Sequence, residues 1–227
     1  IFFYKFIIHK TVQNLISIQN LIKSKLEELN EKERIPKIIA VSKTFKIEHI
    51  FPLIEYGHLD YGENKVQEAL EKWTDIKKEK KNINLHLIGK LQTNKVKFAL
   101  KIFDYIHSLD SEKLAKKISD EQNKINKKLK IFIQINIGNE EQKGGIKKEN
   151  LMDFYKFCKK IDLDIIGLMC LPPANLNPNQ YFNEMKNLNK EINLKELSMG
   201  MSSDYLIASK SLSTYLRIGT SIFGKRV

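Results

Sequence analysis

Lys43 has the clearest chemical potential in this chain, because of where it stands. It closes the run Ile38-Ile39-Ala40-Val41-Ser42-Lys43-Thr44, a short β-branched apolar stretch that reads as a buried strand. Side chains alternate along a strand, so Ile39, Val41 and Lys43 share one face. If that face is interior, the amine sits at the strand's C-terminal edge, where α/β proteins hold ligands. A lysine ending a strand is also ordinary surface chemistry. Two loops near the other end of the chain shift the balance. Ser198-Met199-Gly200-Met201-Ser202-Ser203-Asp204 and Arg217-Ile218-Gly219-Thr220-Ser221 combine glycines, which let backbone N–H groups approach a ligand, with hydroxyl donors. Arg217 adds a permanent positive charge suited to phosphate. Either loop alone is ordinary turn chemistry.

Positioning these residues together requires a particular framework. Leu15, Ile18, Ile22, Leu26 and Leu29 recur at helical spacing and mark a first amphipathic helix. The strand ending at Lys43 follows. Further apolar runs predict strands at Leu59–Asn64, Leu85–Gly89, Tyr105–Leu109, Lys130–Asn136, Leu163–Met169, Glu196–Gly200 and Tyr215–Thr220. Helical stripes separate them, and Lys77 to Asn84 reads as a charged loop. Eight strands alternating with helices predict a parallel (β/α)8 TIM barrel, with an open doubly wound sheet as the alternative. In such a barrel the loops after the seventh and eighth strands commonly hold phosphate. The two glycine-hydroxyl loops occupy those slots.

Bulk properties bound the reading. A chain of 227 residues, 42% hydrophobic and 29% charged, fits one globular domain. Residues 1–11 read as an extra N-terminal extension. Their apolar start, Ile1 to Ile8, is too short for a membrane span and lacks the marks of a signal peptide. Two cysteines, Cys158 and Cys170, give neither a disulfide framework nor a metal spacing, so a reducing cytoplasm is the expected compartment. The net charge of +12 admits a nucleic-acid partner. Its lysines are spread over most predicted helices, however, and no nucleic-acid-binding motif is present. His49, His58 and His107 are scattered without ligand spacing, and no metal is expected.

A phosphate slot facing a strand-end lysine suggests a phosphorylated aldehyde held as a Schiff base, and pyridoxal 5′-phosphate (PLP) is the obvious case. An ordinary lysine pKa near ~10.4 makes partial burial or neighbouring cations favourable for that condensation. At this point the residues carry a resemblance. The pieces are Ala40-Val41-Ser42-Lys43-Thr44, Tyr61-Gly62-Glu63-Asn64-Lys65-Val66-Gln67-Glu68, His86-Leu87-Ile88-Gly89, Leu91-Gln92-Thr93-Asn94-Lys95, Gln134-Ile135-Asn136 and Gly167-Leu168-Met169. They continue with Leu197-Ser198-Met199-Gly200-Met201-Ser202 and Arg217-Ile218-Gly219-Thr220-Ser221-Ile222-Phe223-Gly224. In this order the chain resembles the pyridoxal phosphate homeostasis protein family. The resemblance implies a fold-type III PLP barrel like the N-terminal domain of alanine racemase. It implies Lys43 as the Schiff-base lysine, with Ser202, Gly219 and Thr220 at the phosphate and Arg217 close to phosphate or ring. It carries over Asn64, His86 and Met199 as pocket walls. Lys90, Thr93, Tyr61, Gly144 and Cys170 depart from the family's usual pattern, and Lys90 adds a cation near the third strand's mouth.

The resemblance implies a protein that binds, buffers and delivers PLP in vitamin B6 and amino-acid homeostasis, with PLP-dependent apo-enzymes as partners; no membrane association and a monomeric state are expected alongside it. No catalytic residue is assigned. A racemase needs a second acid/base group, which in the related racemases comes from a C-terminal domain, and this chain ends just after the eighth strand. A small racemase-like PLP enzyme is the first rival; a basic nucleic-acid-binding protein is the second. Among single residues, Tyr61 and Tyr205 lie close enough in sequence to the pocket strands to be near it, and are read as packing or rim residues rather than a catalytic base. Cys158 reads as a buried hydrophobe, Cys170 as reactive if a cation lowers its pKa, and Glu63 and Glu68 as solvated carboxylates.

Overall fold

The computed structural model describes residues 8–225. The apolar segment Ile1 to Ile7 expected to belong to an N-terminal extension therefore lies outside the described residues. Helix α1 (Lys10–Glu27) buries Leu15, Ile18, Ile22 and Leu26 of the anticipated stripe, together with Val12; Leu29 lies beyond the helix end and is exposed. Eight strands follow: β1 (Lys37–Val41), β2 (Asp60–Glu63), β3 (Asn84–Leu87), β4 (Tyr105–Leu109), β5 (Lys130–Ile135), β6 (Asp164–Cys170), β7 (Glu196–Ser198) and β8 (Tyr215–Ile218). They close in sequence order into a barrel. All neighbouring pairs are parallel, and β8 returns to β1 with Ile39 opposite Arg217. The open doubly wound alternative is thereby excluded.

The crossovers are α2 (Ile47–Glu55), α3 (Val66–Glu79), α4 (Val96–Ile102), α5 (Glu112–Ile125), α6 (Leu151–Lys160), α7 (Pro178–Glu191) and α8 (Tyr205–Lys210), and a short α9 (Thr220–Phe223) follows β8. Two cores result. The larger one, between strands and helices, takes Ile38, Ala40, Tyr61, Trp73 and their neighbours. A small inner one contains Ile39, Tyr105, Phe132, Met169 and Tyr215. Some boundaries differ from expectation. Helix α3 runs to Glu79, through residues read as a charged loop, because Lys77 reaches across to Asp104 and the Ile102 carbonyl. Strand β8 stops at Ile218 because Thr220 begins a helical turn. Among the described residues, no helix is long and apolar enough to cross a membrane.

Candidate functional site

The alternation in β1 has the predicted phase. Ile38 and Ala40 face the helices, whereas Ile39 enters the inner core. Val41 and Lys43 continue on that inner side and line a cavity of about 400 Å³ at the C-terminal mouth. Its other walls include Asn64, Ile88, Ser202, Arg217, Gly219 and Thr220. Lys43 is half-buried there. The first βα loop, the end of β2 and both glycine-hydroxyl loops thus converge, although they are far apart in sequence.

The end of the cavity formed by the two glycine-hydroxyl loops is held by polar contacts. The Ser202 hydroxyl accepts from the backbone N–H groups of Gly219 (3.3 Å) and Ser221 (3.2 Å). A Cβ on Gly219 would lie 3.3 Å from Val41 Cβ, so a larger residue there would press on β1. Gly200 has φ +93° and would meet Ala208 at 2.5 Å, which fixes glycine in the tight turn leading to Ser202. These N–H and O–H donors beside a guanidinium fit a phosphate, and a strand-end amine across the cavity fits an aldehyde. The volume lies within the range of small-ligand sites.

Two expected wall residues are elsewhere. His86 does not line the cavity; it is fully buried deeper in the barrel, stacked on Tyr105 with ring centroids 4.2 Å apart. Met199 is fully buried in the outer core between strands and helices. His86 points into the barrel but below the cavity, whereas Met199, just past the end of β7, faces outward to the helices. Tyr61 is packed behind β2, 4.7 Å from the Trp73 ring, and Tyr205 packs against the outer core; neither lines the cavity. Lys90 is exposed and also absent from its walls. Cys170 is not reactive by the expected route: burial pushes its thiol up to about 12, outweighing the charge of Arg217. Cys158 is buried as expected, and burial raises it to about 12 as well.

His86 belongs to a buried polar chain that sequence reading did not join. Arg217 donates to the Ser198 carbonyl and hydroxyl (2.6 Å each) and to the Cys170 carbonyl (2.8 Å). The Ser198 hydroxyl lies 2.8 Å from His107 Nδ1, His107 Nε2 lies 3.0 Å from His86 Nδ1, and His86 Nε2 lies 3.0 Å from Asp60 Oδ1. Burial lowers the pKa of both imidazoles, His107 strongly. Burial opposes ionisation of Asp60, yet the His86 hydrogen bond and the charge of Lys37 help to lower its pKa. With neutral imidazoles and an ionised Asp60, only one proton order satisfies every atom. Arg217 donates to Ser198, Ser198 to His107, His107 to His86, and His86 to Asp60. The chain spans the barrel from the cavity to the opposite strand ends.

A second cluster lies just outside the barrel wall, under the loop that carries Lys43. Glu63 was expected in solvent; it is fully buried. Its Oε1 accepts from Ser42 Oγ (2.7 Å), Trp73 Nε1 (2.9 Å) and Lys72 Nζ (3.0 Å). Burial raises its pKa despite these donors. Glu68 is only part-exposed; against a burial effect, the Thr44 N–H and Lys72 lower its pKa. Among the described residues, no cluster of three or more His, Cys, Asp or Glu side chains is arranged to hold a metal ion.

The comparisons with known proteins converge on one family. A family model described as the alanine racemase N-terminal domain matches residues 18–227. The pyridoxal phosphate homeostasis protein of Aquifex aeolicus is 36% identical over 224 residues, covering 94% of this chain and 97% of that protein. PipY of Synechococcus elongatus, in a structure with PLP bound, superposes with a TM-score of 0.78 at 30% identity, over 89% of this chain and all of that one. The alanine racemase of Clostridium difficile shares the fold, with a TM-score of 0.70 at 17% identity over 96% of this chain and 57% of its own. By identity across nearly its whole length and by barrel architecture, this chain belongs to the pyridoxal phosphate homeostasis protein family, built on the alanine racemase N-terminal domain fold.

Proposed function

We propose that this chain binds pyridoxal 5′-phosphate at the C-terminal mouth of its barrel and serves as a carrier and buffer of it. The observation that carries this reading is the convergence of Lys43, Arg217, Ser202, Gly219 and Thr220 on one cavity. Bound there, the cofactor would supply an aldehyde able to condense with a lysine amine, with water as the leaving product. In this reading Lys43 provides the amine. Ser202, Gly219 and Thr220 supply phosphate donors, Arg217 compensates charge, and Asn64 forms a polar wall. Two features support delivery rather than turnover. The relatives are named for homeostasis. Among the described residues lining the cavity, Lys43 and Arg217 are the ionisable ones, and a guanidinium is a poor proton acceptor. PLP-dependent apo-enzymes are the partners this role calls for.

The test is to incubate the purified protein with PLP, record visible absorbance, reduce with borohydride and map the adduct by mass spectrometry. A visible band and an adduct on Lys43, both lost in Lys43→Ala, are expected. Label scattered over surface lysines, or no band, would reject the reading. Racemase and transaminase assays of the same preparation are expected to give no turnover; loss of a substrate α-proton would favour the racemase-like alternative.

A further inference from the structure

The loop bearing Lys43 is held from behind by a charged cluster outside the cavity. Lys72, on α3, has a side chain only 9% exposed. Its Nζ donates to the Ser42 carbonyl (2.9 Å), Glu63 Oε1 (3.0 Å) and Glu68 Oε1 (3.0 Å). Glu63 holds the Ser42 hydroxyl, and Glu68 Oε1 accepts the Thr44 N–H at 2.5 Å. Both residues flanking Lys43 are thus fixed by one cluster. Thr44 also has φ +69°, a left-handed conformation that a β-branched residue avoids. Such a backbone persists only where its surroundings over-determine it, and here the Glu68 bond and the anchored Ser42 do so.

We infer that Lys72, with Glu63 and Glu68, is a positioning group for Lys43: it fixes the peptide planes on either side so that the amine is aimed across the cavity. This rests on the PLP reading above. A surface lysine ending a strand needs no such support. Burying an ammonium and a carboxylate is costly unless geometry and hydrogen bonds are good; here Lys72 and Glu63 each bond Ser42 as well as each other, and Glu68, bonded to Lys72, takes the Thr44 N–H. None of the three carries out chemistry, because all lie on the helix side of β1 and β2, and the cavity is walled by other residues.

The test compares two ligands on the full chain. PLP reports covalent linkage to Lys43, read by absorbance, linkage rate and the borohydride adduct. Pyridoxine 5′-phosphate has ring and phosphate but no aldehyde, so it reports the rest of the site. Lys72→Met is expected to slow linkage about ten-fold, since small misplacements of a reacting group have large effects. Its affinity for pyridoxine 5′-phosphate should stay within about two-fold of wild type on the same argument, and Lys72→Arg should restore much of the linkage rate. Glu68→Ala removes the Thr44 acceptor at a part-exposed position and should show the same split, more weakly, if Lys72→Met does not fold. Equal losses for both ligands would make the cluster a general fold support and overturn the inference. So would unchanged linkage in both variants. If the wild type itself gives no Lys43 adduct, the cofactor reading falls and takes this one with it; an adduct unmoved by the variants removes this one alone.

Discussion

Arg217 is a buried guanidinium at the cavity wall whose hydrogen bonds go to Ser198 and the Cys170 carbonyl, all neutral acceptors. Burial lowers its pKa, so its charge benefits from any negative group reached through polarised bonds. The chain through Ser198, His107 and His86 ends on such a group, Asp60. The order of protons along it is a measurable consequence. In the apo-protein, ¹⁵N NMR should find both His86 and His107 as Nε2–H tautomers. An Nδ1–H on either ring would reverse the order. Asp60→Ala would leave the His86 N–H without its acceptor inside the barrel, and urea denaturation should record a loss of about 1–3 kcal/mol. Lys43 and its loops were legible in the sequence because an apolar run breaks sharply into polar residues at the strand end. The relay was not, because its members come from β2, β3, β4, β7 and β8. Its one local signal is the alternation in Tyr105-Ile106-His107, which puts a histidine on the face shared with Tyr105. Only closure of the barrel shows that this face is interior.

Strand ends are the elements that set the site, and two glycines show how tightly they are packed. A Cβ on Gly89 would lie 2.4 Å from the Asn64 carbonyl oxygen. Gly89→Ala must therefore push the end of β2, and with it a cavity wall, without touching the cavity itself. PLP affinity should fall in this variant beyond what its stability explains, which paired titration and denaturation would separate. Gly167 lies in β6 beside β7, where a Cβ would meet the Glu196 carbonyl at 2.0 Å. Gly167→Ala should cost about 1–3 kcal/mol or more through forced strand separation, and a mutant as stable as wild type would show that β6 and β7 can part at little cost. The strands themselves were readable from the sequence as short β-branched runs, and most boundaries moved by only a residue or two. Long-range pairing was not readable. Lys77 extends α3 by reaching Asp104, twenty-seven positions away, and Glu63 is buried because Lys72 and Trp73 arrive from the next helix. A carboxylate in a sequence of lysines looks solvated until its partners are located.

The whole molecule combines a strongly basic surface, net charge +12, with an interior that holds histidines neutral. The surface field favours anionic ligands such as phosphates, whereas the interior sets the response to acid. His58, His86 and His107 each have a pKa lowered below the ordinary 6.5, with burial as the largest cause. On unfolding, these rings take up protons at a pH where the folded chain leaves them neutral. The unfolded state then binds more protons, so stability rises with pH and is lost on acidification through the ordinary histidine range. Asp60 and Glu68, with lowered pKa values, add to the loss at still lower pH. Glu63 and Asp110, raised by burial, act oppositely above the ordinary carboxylate range. Three histidines against two carboxyls give a net expectation for urea denaturation: the chain is less stable at pH 5.5 than at pH 7.5. The sign is the informative part. Equal or greater stability at the lower pH would mean that Glu63 and Asp110 outweigh the histidines or that an imidazole in the barrel is charged. Repeating the comparison in Glu63→Gln separates the two: a charged His107 has no acceptor site left for the Ser198 hydroxyl, so the reversed sign persisting in that variant would dismantle the polarised path between Asp60 and Arg217.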